Sequence, residues 1–193
     1  TTLVQQCDTA DGTHVGRLVA HITGAARPTN MWHAAGVLAD GLLPGQAAQA
    51  LARVCAPKAH GAWALHRAVA VAVVRTAALF SSVAALLGGA GQANYAAANA
   101  GLDALAACWS ARGRVAVSVQ WGAWAEVGMA ARGAAADRMA AVEAASGVGR
   151  ISLAQGLGAL HAAVLPLAPS LLGMVPVQWS RSLHGGRASA FLT

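Results

Sequence analysis

Apolar side chains at Val15, Leu18, Val19 and Ile22 fall at i, i+3, i+4 and i+7, the repeat that gathers one stripe along a helix, and predict a helix over residues 13–25. A short strand is expected just before it, ending near Asp8. Met31-Trp32-His33 opens a second strand that runs into Ala34-Ala35-Gly36, and residues 45–70 read as helical. Ala77-Ala78-Leu79-Phe80-Ser81 is a short apolar run, as a parallel strand buried on both faces requires. A glycine-rich loop, Leu87 to Gly91, follows it, and Leu102, Leu105, Ala106 and Trp109 share one stripe of a helix over 94–112 that stops at Arg112-Gly113. Val115 to Trp121 predicts another strand, 122–131 a loop, 133–146 and 152–164 two helices, and Leu171 to Val177 a last strand. Strands alternating with helices in this way give βαβ crossovers, hence an α/β chain with a doubly wound parallel sheet in one domain.

Composition fits that picture and narrows the function. With 193 residues, 56% apolar and 10% charged, the chain can fill such a core, and disorder is not expected over most of it. The net charge of +6 invites a nucleic-acid reading, but the arginines are scattered singly from Arg17 to Arg187 without a basic run or interleaved aromatics, so no nucleic-acid partner is expected. Cys7, Cys55 and Cys108 are far apart and lack metal-ligand or C-x-x-C spacing, which predicts reduced thiols, no metal and a cytoplasmic setting. No signal peptide opens the chain, and the uncharged stretch from Leu153 to Trp179 is interrupted by prolines and glycines, so it reads as a buried helix and a strand rather than a membrane span. Starting on threonine, the chain reads as a piece of a longer protein.

In open α/β sheets ligands bind beyond the carboxyl ends of the strands, which directs attention to Ala34-Ala35-Gly36, Ser81-Ser82 and Trp121-Gly122. Small residues at the first would let a ring or ribose approach the backbone, although alanine and glycine are common throughout this chain. Tyr95, the one tyrosine, stands 13 residues after Ser82 and four before Asn99, so tyrosine and asparagine share a helix face. A phenol is a weak acid at neutral pH unless a cation lowers its pKa, and Lys58 is the one lysine in the sequence. A Tyr, Lys and Ser set can move a proton on or off a carbonyl oxygen while a hydride moves at carbon. Each residue also has a plain structural reading; the joint spacing is what points to a reductase.

The runs His33-Ala34-Ala35-Gly36-Val37-Leu38-Ala39-Asp40, Pro57-Lys58-Ala59-His60-Gly61-Ala62-Trp63, Phe80-Ser81-Ser82-Val83-Ala84, Asn94-Tyr95-Ala96-Ala97-Ala98-Asn99-Ala100 and Trp121-Gly122-Ala123-Trp124 resemble, in order and spacing, the ketoreductase domains of modular type I polyketide synthases, in the short-chain dehydrogenase/reductase superfamily. Pro176-Val177-Gln178-Trp179 resembles that domain's closing strand, so the match spans nearly all of residues 1–193. The resemblance implies a Rossmann-like sheet and NADPH-dependent reduction of a β-ketoacyl thioester, carried on the phosphopantetheine of an acyl carrier protein, to the β-hydroxyacyl thioester. It implies that Tyr95 donates the proton, Ser82 binds the same oxygen, Lys58 contacts the cofactor ribose and lowers the tyrosine pKa, and Asn99 anchors a relay water. Lysine upstream of the serine, with asparagine in the tyrosine helix, is this family's swap relative to most of its superfamily. Asp8 would meet adenine; Ala34, Ala35, Gly36 and Gly122 would line the cofactor; Asp40, Leu87, Trp124 and Met129 would lie on the substrate side, under a cover formed by 125–146. Leu38-Ala39-Asp40 keeps the last acid of the B-type Leu-Asp-Asp run, and Leu87 replaces the A-type tryptophan, which favours B-type stereochemistry.

The G-x-G-x-x-G fingerprint is missing; Gly89-Ala90-Gly91-Gln92-Ala93-Asn94 imitates it without the third glycine and is the loop between serine and tyrosine. By comparison with the family, the chain starts at the third strand, so the first two are lacking and 1–193 is the C-terminal catalytic part of the domain. The absent strand belongs in the middle of the sheet, which implies marginal folding and poor NADPH binding by the segment alone, with the N-terminal half of the reductase fold and neighbouring synthase domains as partners. Two alternatives stand beside the enzyme: a non-catalytic ketoreductase half that braces a synthase module, which would not need all four residues, and a free-standing short-chain reductase, which would carry lysine at position 99.

Overall fold

In the computed structural model the described residues are 4–25, 30–69, 74–128, 140–141, 143–144, 146–165 and 167–182. Four parallel strands, β1 (Asn30–His33), β2 (Thr76–Ser82), β3 (Ala116–Trp121) and β4 (Leu171–Met174), form one sheet in the order β1-β2-β3-β4. Register runs His33 opposite Leu79, Ser82 opposite Trp121 and Trp121 opposite Met174, so β2, β3 and β4 end at a common level and β1 ends three residues short of it. Each crossover carries helix: Ala48–Cys55 (α2) and Gly61–Ala68 (α3) between β1 and β2; Ala84–Leu87 (α4) and Ala93–Ser110 (α5) between β2 and β3; Leu153–Ala163 (α6) between β3 and β4. Gly12–Ala25 (α1) precedes the sheet and Trp179–Ser182 (α7) follows it.

Alternation along the strands divides the core. Ala77 and Leu79 of β2 and Ala116 of β3 join Val15, Val19, Ala62, Leu102, Leu105 and Trp109 on the face covered by α1, α3 and α5. Ala78, Val117, Val119 and Trp121 point the other way, onto Ile151, Leu160 and Ala163 at α6. Helices on both faces of a parallel sheet are the doubly wound, Rossmann-like arrangement the sequence predicts.

One expected element is absent. Residues 4–8 form no strand: a strand needs a ladder partner, and none of the four strands pairs with them. β1 is accordingly an edge strand, with Met31 and His33 buried and Trp32 turned outward at 47% exposure, which agrees with a strand order lacking β1's outer neighbour. Of the helical reading of 45–70, residues 48–68 are helical with a break of character described below, and the last strand stops at Met174, with Val177 bridging Val148 instead. The expected helix over 133–146 and the cover over 125–146 lie largely outside the described residues. Leu153 to Trp179 holds α6 and β4, and no helix among the described residues is long and apolar enough to cross a membrane.

Candidate active site

Lys58 reaches the interior through an irregularity in its helix. The run from α2 to α3 is α-helical over Ala48–Cys55 and Gly61–Ala68 but widens to a π turn over Ala56–His60. Pro57 has no N–H to donate, and a single wide turn absorbs that loss. The turn leaves Lys58 only 3% exposed. Its Nζ donates to the carbonyl of Phe80 at 2.9 Å and stands 5.3 Å from the centroid of the Tyr95 ring. His33, at the end of β1, is buried with Nε2 3.1 Å from the Lys58 carbonyl; a carbonyl only accepts, so that nitrogen carries the hydrogen. Burial pushes the Lys58 pKa down from 10.5 to about 8, against the opposing pull of the Asp103 carboxylate.

Tyr95 sits in the first turn of α5, which is tied to the loop after β1. Asn94 accepts the Tyr95 N–H on Oδ1 at 2.7 Å and donates Nδ2 to the Ala39 carbonyl at 2.7 Å. Gly41 N–H donates to the Gly91 carbonyl at 2.8 Å, and Gln92 Nε2 to Asp40 Oδ2 at 3.4 Å. Asp40 is thereby held on the phenol's side. Burial raises the Tyr95 pKa above 10.0; the Asn99 and Ser82 side chains pull it back, and the Asp40 carboxylate adds to the rise. The phenol therefore keeps its proton at neutral pH, and the lowering of its pKa expected from Lys58 is not found: burial outweighs the groups that pull it down, and Lys58 is not among them.

Asn99, one turn further along α5, is fully buried; Nδ2 donates to the Tyr95 carbonyl at 2.8 Å, its own carbonyl accepts from Ser81 Oγ at 3.3 Å, and its Oδ1 has no partner. Ser82 closes β2, and its Oγ accepts the Ala84 N–H at 3.2 Å, which fixes the hydroxyl at the start of α4. The four residues singled out by spacing are thus brought together around one phenol: a cation against its ring, with a hydroxyl and an amide beside it.

The remaining candidates divide. Ala34 is exposed, with Ala35 and Gly36 half-buried, so the end of β1 offers a strip of small residues next to Lys58. Asp8 is exposed, with Oδ1 accepting the Ala10 N–H at 2.9 Å, in a turn whose Thr9 donates to the Pro57 carbonyl at 3.3 Å. The Ala34 to Gly36 strip and Lys58 could hold the ribose and nicotinamide end of a dinucleotide, since Lys58 packs directly against Gly36. Asp40 and the half-exposed Leu87 lie on the open side of α5. Gly122 and Trp124 are instead held in packing: Gly122 donates to the Met174 carbonyl at 2.8 Å, and the Trp124 ring lies tilted on Trp121 at 5.0 Å and against Gly156. Met129 lies outside the described residues. Sequence reasoning missed Asn94, Gln92 and Asp103. Asp103 follows Tyr95 by eight positions, a spacing that returns to the same helix face and was the available signal.

Comparisons with known proteins identify the family. The KR domain family matches residues 1–126. Polyketide synthase GfsA of Streptomyces halstedii is 41% identical over 184 residues, covering 93% of this chain and 2% of the relative. GfsB of the same organism is 50% identical over 133 residues, covering 69% of this chain and 2% of the relative, so the chain spans a small fraction of these proteins. Among solved structures, A-type ketoreductases from a modular polyketide synthase superpose with a TM-score of 0.85 at 34% identity, covering 96% of this chain and 39% of theirs. A C2-type ketoreductase from a modular polyketide synthase gives 0.79 at 34% identity, over 96% of this chain and 39% of its own. The chain belongs to the ketoreductase domain family of modular polyketide synthases.

Proposed function

We propose that the chain is the catalytic C-terminal part of a ketoreductase domain that reduces a β-ketoacyl thioester to the β-hydroxyacyl thioester with NADPH, the acyl group being carried by an acyl carrier protein inside a multidomain synthase. The observation that supports this most is the buried Lys58 ammonium 5.3 Å from the centroid of the Tyr95 ring. A cation in that place has no purpose in packing, and desolvation makes it costly.

NADPH, when bound, would supply the hydride that the β-carbon takes up, being oxidised to NADP+. Ser82 and Tyr95 hydrogen-bond the ketone oxygen, and as the C=O π bond breaks Tyr95 gives its proton to that oxygen, so one C–H and one O–H bond form. Lys58 stabilises the phenolate left behind, and Asn99, with a buried unpartnered Oδ1, offers an acceptor for a water that returns the proton. Lys58 would contact the ribose, Asp8 the adenine, and the Ala34 to Gly36 strip the ring. Asp40 on the phenol's side, with leucine at position 87, favours the B-type product configuration.

The test is NADPH oxidation with a β-ketoacyl thioester surrogate by the complete reductase domain of the parent synthase, beside Tyr95→Phe. A loss of roughly 10²- to 10⁴-fold in kcat with NADPH binding retained supports the acid role. A folded domain that binds NADPH but turns nothing over, with the carrier-bound substrate as well, sinks the catalytic reading; one that does not bind NADPH is a structural half. Chiral analysis of the product checks the configuration.

A further inference from the structure

Asp103 lies on α5 two turns beyond Tyr95 and one beyond Asn99, and the face they share looks onto the sheet. Its carboxylate is gripped from β3: Ser118 Oγ donates to Oδ1 at 2.6 Å and Gln120 Nε2 to Oδ2 at 2.8 Å. Ser118 and Gln120 alternate on β3, so they point to the same side, and both are buried among apolar residues. Two polar side chains placed there have no use in packing, and between them each carboxylate oxygen has a hydrogen-bond partner. The short O–H···O contact is in the range of charge-assisted bonds.

Lys58 has the opposite deficiency. It is buried, its Nζ bonds one neutral carbonyl, and among the described residues no carboxylate comes within 4.0 Å of it. The charged or titratable groups facing it are Tyr95 and Asp103 from α5 and His33 from β1, whose pKa burial lowers; Asp40 faces Tyr95 from the loop after β1. Of these groups only Asp103 favours the ammonium, and it is held at the same level of the sheet: Gln120, which grips it, stands opposite Ser81, next to the Phe80 whose carbonyl Lys58 bonds. A carboxylate in direct contact would occupy the donors Lys58 needs for a ligand, whereas one restrained by Ser118 and Gln120 supplies field without taking a hydrogen.

We infer that Asp103 is a positioning residue for the reduction: held on the Tyr95 face of α5 by Ser118 and Gln120, its carboxylate keeps Lys58 charged beside the phenol. This rests on the reductase reading above. The test compares wild type with Asp103→Asn in the complete reductase domain. Neutralising the carboxylate is expected to move the basic limb of the kcat profile to lower pH by on the order of one unit, so the loss of rate grows as pH rises, toward about tenfold. Asp103→Glu, which keeps the charge, is expected to keep the limb, and Asp103→Ser replaces asparagine if that variant folds poorly. A limb in the same place in the neutral variants, or one displaced as far by glutamate, overturns the inference. So does a loss uniform in pH, which marks a packing role. A readout independent of turnover is the Lys58 titration by NMR with labelled lysine, assigned through its loss in Lys58→Arg: the pKa falls in Asp103→Asn, and an unchanged pKa overturns the inference. An inactive wild type whose Lys58 nonetheless responds to Asp103→Asn would count against the reductase reading alone.

Discussion

A β-carbon placed on Gly36 would stand 2.9 Å from Cε and 3.4 Å from Nζ of Lys58. The obstruction meets the far end of a flexible side chain, so the fold can survive it while the ammonium shifts away from Phe80 and Tyr95. Gly36→Ala is therefore expected to lower kcat by roughly 10- to 100-fold with little change in unfolding midpoint, because small displacements of a catalytic group are costly. Equal kcat, or a loss explained by unfolding, would show that Lys58 does not need its present place.

Lys58 also sets a pH dependence of stability. The unfolded chain holds the lysine proton up to its ordinary value of 10.5, while the folded chain gives it up near about 8, so between those values rising pH favours the folded state. Relative to Lys58→Met, which cannot titrate, wild type should gain about 3 kcal/mol between pH 8 and 10.5, at ~1.4 kcal/mol per unit. Urea unfolding of both proteins at the two ends of that window measures the gain. A constant difference between them would mean that the amine is not buried.

His33 acts at the other end of the scale. Burial lowers its pKa from 6.5, and its contact with the Lys58 carbonyl opposes the fall. Below pH 6.5 the unfolded chain takes up a proton that the folded chain resists, so stability falls on acidification. His33→Gln, which keeps a donor for the Lys58 carbonyl, should show a shallower decline between about pH 6.5 and 5. The comparison is again of unfolding free energies, and parallel slopes would contradict it.

The residues around the phenol were legible because their placement depends on spacing along local elements: Tyr95 and Asn99 share a helix face, and Ser82 closes an apolar strand. The sheet was legible for a similar reason, since β2 is a short, largely apolar run and β3 carries Val117, Val119 and Trp121 at alternate positions. The π turn under Lys58 was not: Pro57 in a helical pattern signals a break, but whether the chain kinks, stops or widens depends on what packs around it, here His33 and Thr9. Asp103 was hidden for the same kind of reason. Alone on α5 it reads as a solvated helix residue, and its partners Ser118 and Gln120 lie 15 and 17 residues away on a strand. The strand expected to end near Asp8 failed because strand formation is a property of a pair, and residues 4–8 have no partner strand among the described residues.

Two glycines of α6 give predictions of opposite sign. Gly156 is buried beneath the Trp124 ring, which falls well inside contact distance of any β-carbon added there; Gly158, two residues on, is exposed with open space around it. Glycine costs a helix about 1 kcal/mol relative to alanine, so Gly158→Ala should stabilise by up to about that amount. Gly156→Ala gains the same propensity but must displace an indole that lies tilted on Trp121 and whose backbone bridges Ile151, and should destabilise by about 1–3 kcal/mol net. Trp124→Leu removes the obstruction, so the double variant with Gly156→Ala should be more stable than the sum of the two single effects. Urea unfolding of the four variants decides it. Additive effects, or a stabilising Gly156→Ala, would mean that Trp124 is not seated on α6, and would return this tryptophan to the substrate side, where the family resemblance puts it.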